Sequence, residues 1–399
     1  MANDNKTPAI RFKGFTDTWE QRKLSDTLNF LSNNTLSRAE LSEDTGTYKN
    51  VHYGDVLVKF GEYIDAQSTD LPYIADDEKA KKFESSKLQD GDIIIADTAE
   101  DEAVGKCVEI GNIGDLSIVS GLHTIPCRSK VKFAPAYLGF YLNSSSYHDQ
   151  LIPLMQGIKV TSISKSAISD TLISAPTDLS EQGKIGQFFS QLDTLITLHQ
   201  RKYDKLIQFK AAMLQKMFPQ NGADKPEIRF KGFTDAWEQR KLEEVITVGN
   251  GMDYKHLSEG DIPVYGTGGY MLSVDKALSY DKDAIGIGRK GTIDKPYVLK
   301  APFWTVDTLF YCIPKEDYSL DFVYCIFQNV NWKEKDESTG VPSLSKVNIN
   351  STDVKVPTLA EQEKIGAYFA QLDNLITLHQ RKCDKYKSIK AGLIRKLFP

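Results

Sequence analysis

The string GIGRKG at residues 286–291 is the first pattern in the sequence whose residue types could do chemistry. It satisfies G-x-G-x-x-G, in which glycines bring the backbone up to a pyrophosphate seated on a helix N-terminus. TIDKP follows here, with Pro296 and β-branched residues where that helix would start, so the dinucleotide reading fails on context. A glycine-rich turn presenting Arg289, Lys290 and Thr292 suits phosphate or guanine contact; a plain solvated basic turn accounts for the same residues. YGTGGYM at residues 265–271 is a second flexible loop, in which Tyr265, Thr267 and Tyr270 suit a ligand that approaches the backbone closely, with an ordinary turn between strands as the alternative. In the first half of the chain Lys79, Lys81, Lys82 and Lys87 form the densest basic run and Lys159, Thr161 and Lys165 lie near the string SISK, while in the second half Lys346 closes a similar SLSK. These lysines could track phosphates, and a solvated helix face explains the 79–87 run equally well.

Enzyme signatures are missing. There is no G-x-x-x-x-G-K-[ST], no G-x-S-x-G, no H-E-x-x-H, and no Asp/Asn-Pro-Pro-aromatic sequence of amino-methylating enzymes. Cys107, Cys127, Cys312, Cys325 and Cys383 are odd in number with no close pair, which fits neither a disulfide framework nor a zinc knuckle. No catalytic residue, metal or cofactor is expected, and the cysteine usage points to a reducing cytoplasm. The start MANDNKTPAI has no apolar leader region, and no later stretch has the apolar length needed to cross a bilayer, so no membrane partner is expected.

The elements that must position these residues are set by repetition. IRFKGFTDTWEQRKL from Ile10 returns from Ile228 with one change, Thr18 to Ala236, at an offset of 218. The stretch from Ser180 to Pro219 returns from Ala360 to the last residue at an offset of 180, so the first insert is longer by 38 residues. The inserts differ but keep a weak skeleton: GLHTI against VDTLF, AYLGFYL against DFVYCIF, SISK against SLSK. On that skeleton His123 matches Asp307, which argues against a shared catalytic role. Trp19 and Trp237 read as packing anchors at each domain entry.

The long repeats are helical, with apolar residues on a heptad: Ile185, Leu192, Leu206 and Met213, then Ile365, Leu372, Tyr386 and Leu393, flanked by others such as Leu195, Phe209, Leu375 and Ile389. Each should form one helix of about 58 Å at 1.5 Å per residue. His199 and His379 share one central heptad position and read as residues fixing register or orientation, rather than as metal ligands or a pH switch. Short β-rich runs such as GDIIIAD, KDAIGIG and DTLFYCI alternate with glycine-rich turns, so the inserts read as α/β-type domains.

The expected organisation is α+β with two pseudo-symmetric halves. A first domain spans 1–179 with its entry repeat at 10–26, and the first helix spans 180–219. A linker at 220–227 leads to a second domain at 228–359, with its repeat at 228–244, and the second helix spans 360–399. The linker reaches at most about 28 Å, which puts the end of the first helix near the second domain, as antiparallel pairing of the helices would. The chain of 399 residues has net charge −5 from 49 basic and 54 acidic residues. Residues 27–179 hold 13 basic and 22 acidic, and residues 245–359 hold 12 and 15, giving −9 and −3. Inserts of that charge attract a polyanion poorly, so nucleic-acid contact would need local patches and a basic partner.

The duplicated order of short segment, variable domain and long helix resembles the DNA-specificity subunit of type I restriction-modification systems over essentially the whole chain. The strings that carry the resemblance are WEQRKL at each domain start, IPVYGTGGYM and IGRKGTI in the second insert, and P-x-x-x-E-Q-x-K-I at each helix start. The resemblance implies two target-recognition domains, each reading half of an interrupted double-stranded DNA target, and two helices paired antiparallel as a spacer. It also implies as partners two S-adenosylmethionine-dependent adenine methyltransferase subunits and, for cleavage, ATP-driven restriction subunits, with this chain non-catalytic. Ile185, Leu192, His199, Leu206, Ile365, Leu372, His379 and Tyr386 are then the candidates for helix pairing and partner contact. The first insert lacks IPVYGTGG and has YKNVHYGDV and GDIIIADTAEDEAVGK in its place. The competing reading is a duplicated coiled-coil scaffold whose inserts bind protein, and an enzyme is a third.

Overall fold

The computed structural model describes residues 7–399. Residues 1–6, on which part of the leader reading rests, lie outside the described residues. The chain divides into two compact units: unit 1 is residues up to 199 together with 382–399, and unit 2 is residues 200–381. The expected helical blocks are single helices, Leu179–Lys216 and Leu359–Leu397. Neither packs as a block, because each gives its first half to one unit and its second half to the other.

In unit 1 the two helix segments run antiparallel: Phe189 stacks on Phe398, the Asp193 carboxylate meets Lys390, and His199 stacks on Tyr386. Unit 2 repeats the pattern at an offset of 180, with Phe369 against Phe218 and Asp373 against Lys210. The tail of each helix therefore completes the core of the unit built on the other repeat. Phe398 packs edge-on against Trp19 and Tyr137, while Phe218 does so against Trp237 and stacks on Phe322. Trp19 and Trp237 are packing anchors, 2% and 3% exposed.

The seam is narrower than the heptad pattern suggests. Ile185, Leu192, Ile365 and Leu372 are buried, Leu206 and Tyr386 are half-buried, and Phe209, Leu375 and Ile389 lie exposed. Each helix carries an early glycine, a residue that disfavours helix interiors by about 1 kcal/mol relative to alanine. A Cβ on Gly186 would sit 2.4 Å from the Pro135 carbonyl oxygen, and one on Gly366 would sit 2.9 Å from the Phe322 nitrogen. Close approach of the helix to its domain explains both positions.

A buried ion pair closes each unit where the chain enters. Arg11 Nε and Nη2 donate to the Glu181 carboxylate at 2.5 and 2.7 Å, and Arg229 donates twice to Glu361 at 2.7 Å. Both carboxylates are about fully buried and held by this bidentate geometry. The entry strand Glu20–Lys23 pairs antiparallel with Leu172–Ala175, and Glu238–Lys241 pairs with Asp353–Val356.

Between those clips lies a common three-strand frame. In unit 1 the strand Thr124–Ser129 runs between Leu28–Phe30 and Ile93–Ala96; in unit 2 Leu309–Pro314 runs between Ile246–Asn250 and Ala284–Gly288. Cys127 faces Phe30 and Ile93, and Cys312 faces Val248 and Ile285, so the register matches residue for residue. Both cysteines are buried, as are the other three. Unit 1 extends the frame with Cys107–Gly111 and Tyr63–Asp65 and adds a four-stranded sheet of Ser117–Ser120, Tyr48–Val51, Tyr73–Ile74 and Leu41–Ser42. Unit 2 adds Tyr297–Leu299 to the frame and a separate three-stranded sheet of Gly269–Val274, Glu259–Gly266 and Trp304–Thr305.

This register corrects one expected equivalence. The Asp97 amide donates to the His123 carbonyl at 3.1 Å, and the matching Arg289 amide donates to the Thr308 carbonyl at 2.8 Å. His123 therefore corresponds to Thr308, one residue beyond Asp307, because the strand that follows starts at Thr124 in one unit and Leu309 in the other.

Among the described residues, no helix is long and apolar enough to cross a membrane, and no group of three metal-ligating side chains converges.

Candidate nucleic-acid interface

The basic turn of unit 2 leaves the end of strand Ala284–Gly288 and is fixed by its backbone. A Cβ on Gly288 would lie 2.0 Å from the Thr292 carbonyl oxygen, so the turn closes on itself only with glycine there, and Gly291 takes φ +90°. The Arg289 carbonyl accepts from Leu344 N at 3.0 Å, and Gly291 N donates to the Pro342 carbonyl at 2.8 Å. Arg289 and Lys290 are exposed on this braced turn, Thr292 is half-buried, and the guanidinium lies 5.8 Å over the Phe310 ring. That cation–π contact holds a planar donor fork without consuming its hydrogen bonds. Lys346 is exposed at the start of the short helix Lys346–Asn350, two residues past Leu344.

The tyrosine loop is anchored to the same segment. The Tyr265 carbonyl accepts from Val306 N at 3.0 Å, two residues before Thr308, the acceptor for Arg289. Residues 265–271 form the turn between Glu259–Gly266 and Gly269–Val274; Tyr270 is 63% exposed, edge-on to Tyr265, and Thr267 is half-buried beside them. Tyr297 Oη donates to the Gly266 carbonyl at 2.5 Å, stiffening the turn, and burial pushes its phenol above the ordinary range. Thus two glycine-rich loops that the sequence presents separately are both tied to residues 306–308.

Unit 1 places its candidates on two different elements. Lys159 is exposed and Thr161 half-buried on a hairpin whose strand Thr161–Ser162 pairs with Thr98–Ala99. The Lys165 ammonium donates to the Leu31 carbonyl at 3.0 Å, which bonds it to the fold. Lys81 and Lys82 sit at the end of the helix Asp77–Lys81, and the run they belong to is largely neutralised: Lys79 pairs with Glu40 at 2.7 Å, Lys81 with Glu78 at 2.6 Å and Lys87 with Glu84 at 2.5 Å. Lys79 holds the Glu40 carboxyl down at about 2. Exposed pairs of this kind contribute little to stability, and they also cancel the charge a phosphate would meet.

The structure brings forward residues that sequence reasoning passed over. Asp97, Thr98 and His123 meet at the place where unit 2 has Arg289, and Tyr53 lies edge-on to His123 at 5.2 Å. The signal was the end of the run GDIIIAD, which the frame register aligns with the end of the strand before Arg289.

His199 is buried and stacks on Tyr386 at 5.6 Å, which fits a role in helix pairing, and His379 is half-buried. Ile185, Leu192, Ile365 and Leu372 are buried within their own units and so are not exposed for contact with another chain.

The fold is similar to the crystal structure of a type I restriction-modification system S subunit from M. genitalium, with a TM-score of 0.72 at 15% identity, covering 98% of this chain and 99% of that one. A structure concerned with complex assembly and conformational transition of the type I R-M system matches with a TM-score of 0.50 at 15% identity, over 95% and 97%. No curated protein matches the sequence. The family model of the type I restriction modification DNA specificity domain matches twice, over residues 16–208 and 234–387. Each match contains one three-strand frame with its loops and most of one long helix, so the chain belongs to the type I restriction-modification DNA specificity family.

Proposed function

We propose that each unit reads one half of an interrupted double-stranded DNA target, with the two long helices setting the interval and docking two methyltransferase subunits. The observation that carries this reading is a shared frame with unlike loops: the strands around Cys127 and Cys312 match in register, while the loops at their ends differ in sequence, length and charge. In unit 2 the reading side chains are Arg289, Lys290, Thr292 and Lys346, with Tyr265, Thr267 and Tyr270 on the adjoining turn. In unit 1 they are Lys159, Thr161 and Lys165, with Lys82 as an outlying phosphate contact and Lys81 another once it leaves Glu78.

Apolar positions on the helices recur at the repeat offset and stay exposed: Leu198 and Leu378 at 43% and 44%, Phe209 and Ile389 at 45% and 36%. A surface that occurs twice in one chain suits two copies of one partner, which supports two methyltransferase subunits. Restriction subunits would join the assembly for cleavage. Base flipping and methyl transfer then belong to the partner, and this chain supplies address rather than chemistry, working in the cytoplasm.

Methylome sequencing of cells that express the chain with its cognate methyltransferase tests this. A bipartite motif is expected. Adding one heptad to each helix, after Lys202 and after Lys382, lengthens the pair by about 10 Å and should widen the gap by about three base pairs at roughly 3.4 Å each. Methylation without sequence preference would overturn the reading. An active lengthened variant that keeps its original spacing would overturn the spacer role.

A further inference from the structure

Arg289 and Asp97 hold one and the same position in the two units. Each directly follows the matching frame strand, Ile93–Ala96 in unit 1 and Ala284–Gly288 in unit 2. Each amide donates to the residue before the central strand, at 2.8 Å to Thr308 and 3.1 Å to His123. Each carbonyl accepts from the second residue of the SLSK or SISK string, at 3.0 Å from Leu344 and 2.9 Å from Ile163. The backbone context is therefore the same while the side chain changes from a cation with five donors to an anion that only accepts.

Asp97 is not absorbed by the fold. Its Oδ1 accepts from Thr98 Oγ1 at 2.7 Å and lies 3.3 Å from His123 Nδ1, and no hydrogen bond engages Oδ2 among the described residues. The side chain is 27% exposed and that of His123 is 46% exposed. His123 is held at φ +54°, a left-handed conformation uncommon outside glycine, with its ring edge-on to Tyr53. Thr308, its counterpart, has no such backbone. A strained residue that holds a polar ring beside an open carboxylate oxygen is an arrangement suited to recognition.

We propose that Asp97 is a base-reading residue of unit 1, accepting a hydrogen bond from the exocyclic amine of a cytosine or adenine in the major groove, with His123 positioning the carboxylate. This rests on the DNA reading above and adds that the two units use opposite charges at one position. If this turn faces DNA, as the reading above has it, a carboxylate there repels phosphates and is suited to a donor on a base edge. Arg289 in the same position suits the paired acceptors of guanine.

The test uses the full chain with its cognate methyltransferase and compares methylomes of the wild type, Asp97→Ala, Asp97→Asn, His123→Ala and Arg289→Ala. Asp97→Ala should lower discrimination at one base pair by about 10-fold or more, in the half-site that Arg289→Ala leaves intact. Asp97→Asn, close in shape, keeps an acceptor and adds a donor, so it should change which bases are accepted at that same pair. His123→Ala should relax the same pair to a smaller degree. An unchanged motif in both Asp97 variants, or equal weakening at every site, overturns the proposal while leaving the bipartite reading intact. A wild-type methylome without a bipartite motif overturns the reading on which it rests.

Discussion

In unit 1 Cys127 lies between Phe30 and Ile93, in unit 2 Cys312 lies between Val248 and Ile285, and immediately past these matched strands stand Asp97 and Arg289. The buried frame is kept because a side chain of the wrong volume there costs several kcal/mol, whereas a side chain at the end of a strand is free to change sign. A chain that needs two different surfaces on one architecture can vary its loop ends and leave its core alone. The elements that serve both units, the entry arginines and the helix tails, are correspondingly the most alike: Arg11 and Arg229 bind Glu181 and Glu361 with the same geometry.

The largest expected effect tests that exchange of helix tails. Phe218 comes from the first repeat but fills unit 2, and Phe398 comes from the second but fills unit 1. Replacing either by alanine should destabilise by about 3–5 kcal/mol. Hydrogen-exchange mass spectrometry should show Phe218→Ala opening unit 2 while unit 1 stays protected, and Phe398→Ala the reverse. The same unit opening in both variants would show that the helix tails are not exchanged between the units.

Arg11→Met and Arg229→Met should each cost about 3–5 kcal/mol, because a buried carboxylate loses the cation paired with it. Urea titrations should give equal losses for the two, and a large inequality would show that the clips are not equivalent.

Arg289→Ala or Lys290→Ala should impair one half-site only. Loss of a bidentate arginine–guanine contact costs about 1–3 kcal/mol at one base, whereas loss of a phosphate contact weakens binding to all sequences alike. Normal methylation by both variants would remove this turn from the interface.

A smaller effect separates the units electrostatically. In unit 1 Lys390 is shared between Glu62 and Asp193 at 2.5 and 2.6 Å, while in unit 2 Lys210 meets Asp373. Burial, with the Glu62 carboxylate beside it, raises the Asp193 carboxyl to about 6 against the pull of Lys390. A raised folded-state value means the native state holds this proton more tightly than the unfolded chain. The stability it supplies is therefore lost as pH rises from about 4 to about 6. Asp193→Asn mimics the protonated form, so its stability relative to the wild type should improve across that interval and level off above it. A flat difference in thermal melts between pH 4 and 7 would contradict the assignment.

The legible part of the molecule was the part governed by periodicity and repetition. The 180-residue offset and the heptads gave both helices, and Trp19 and Trp237 stood out by their place in the entry repeat. What the sequence hid was long-range. Helix tails that complete the opposite unit depend on which ends meet, and Phe209, Leu375 and Ile389 keep helical spacing yet lie exposed. Asp97 was hidden for the same reason: its equivalence to Arg289 is carried by backbone hydrogen bonds to His123 and Thr308, not by residue type.

If each unit carries its own half of the address on an interchangeable frame, exchanging one insert for the other should exchange the half-site with it. Replacing residues 27–179 by a second copy of residues 245–359 tests it most directly, with the methylome of the chimera and its cognate methyltransferase as the readout. The expected motif is built from two copies of the half-site that Arg289→Ala alters, with the other half-site gone. An active chimera that retained the original pair of half-sites would contradict it.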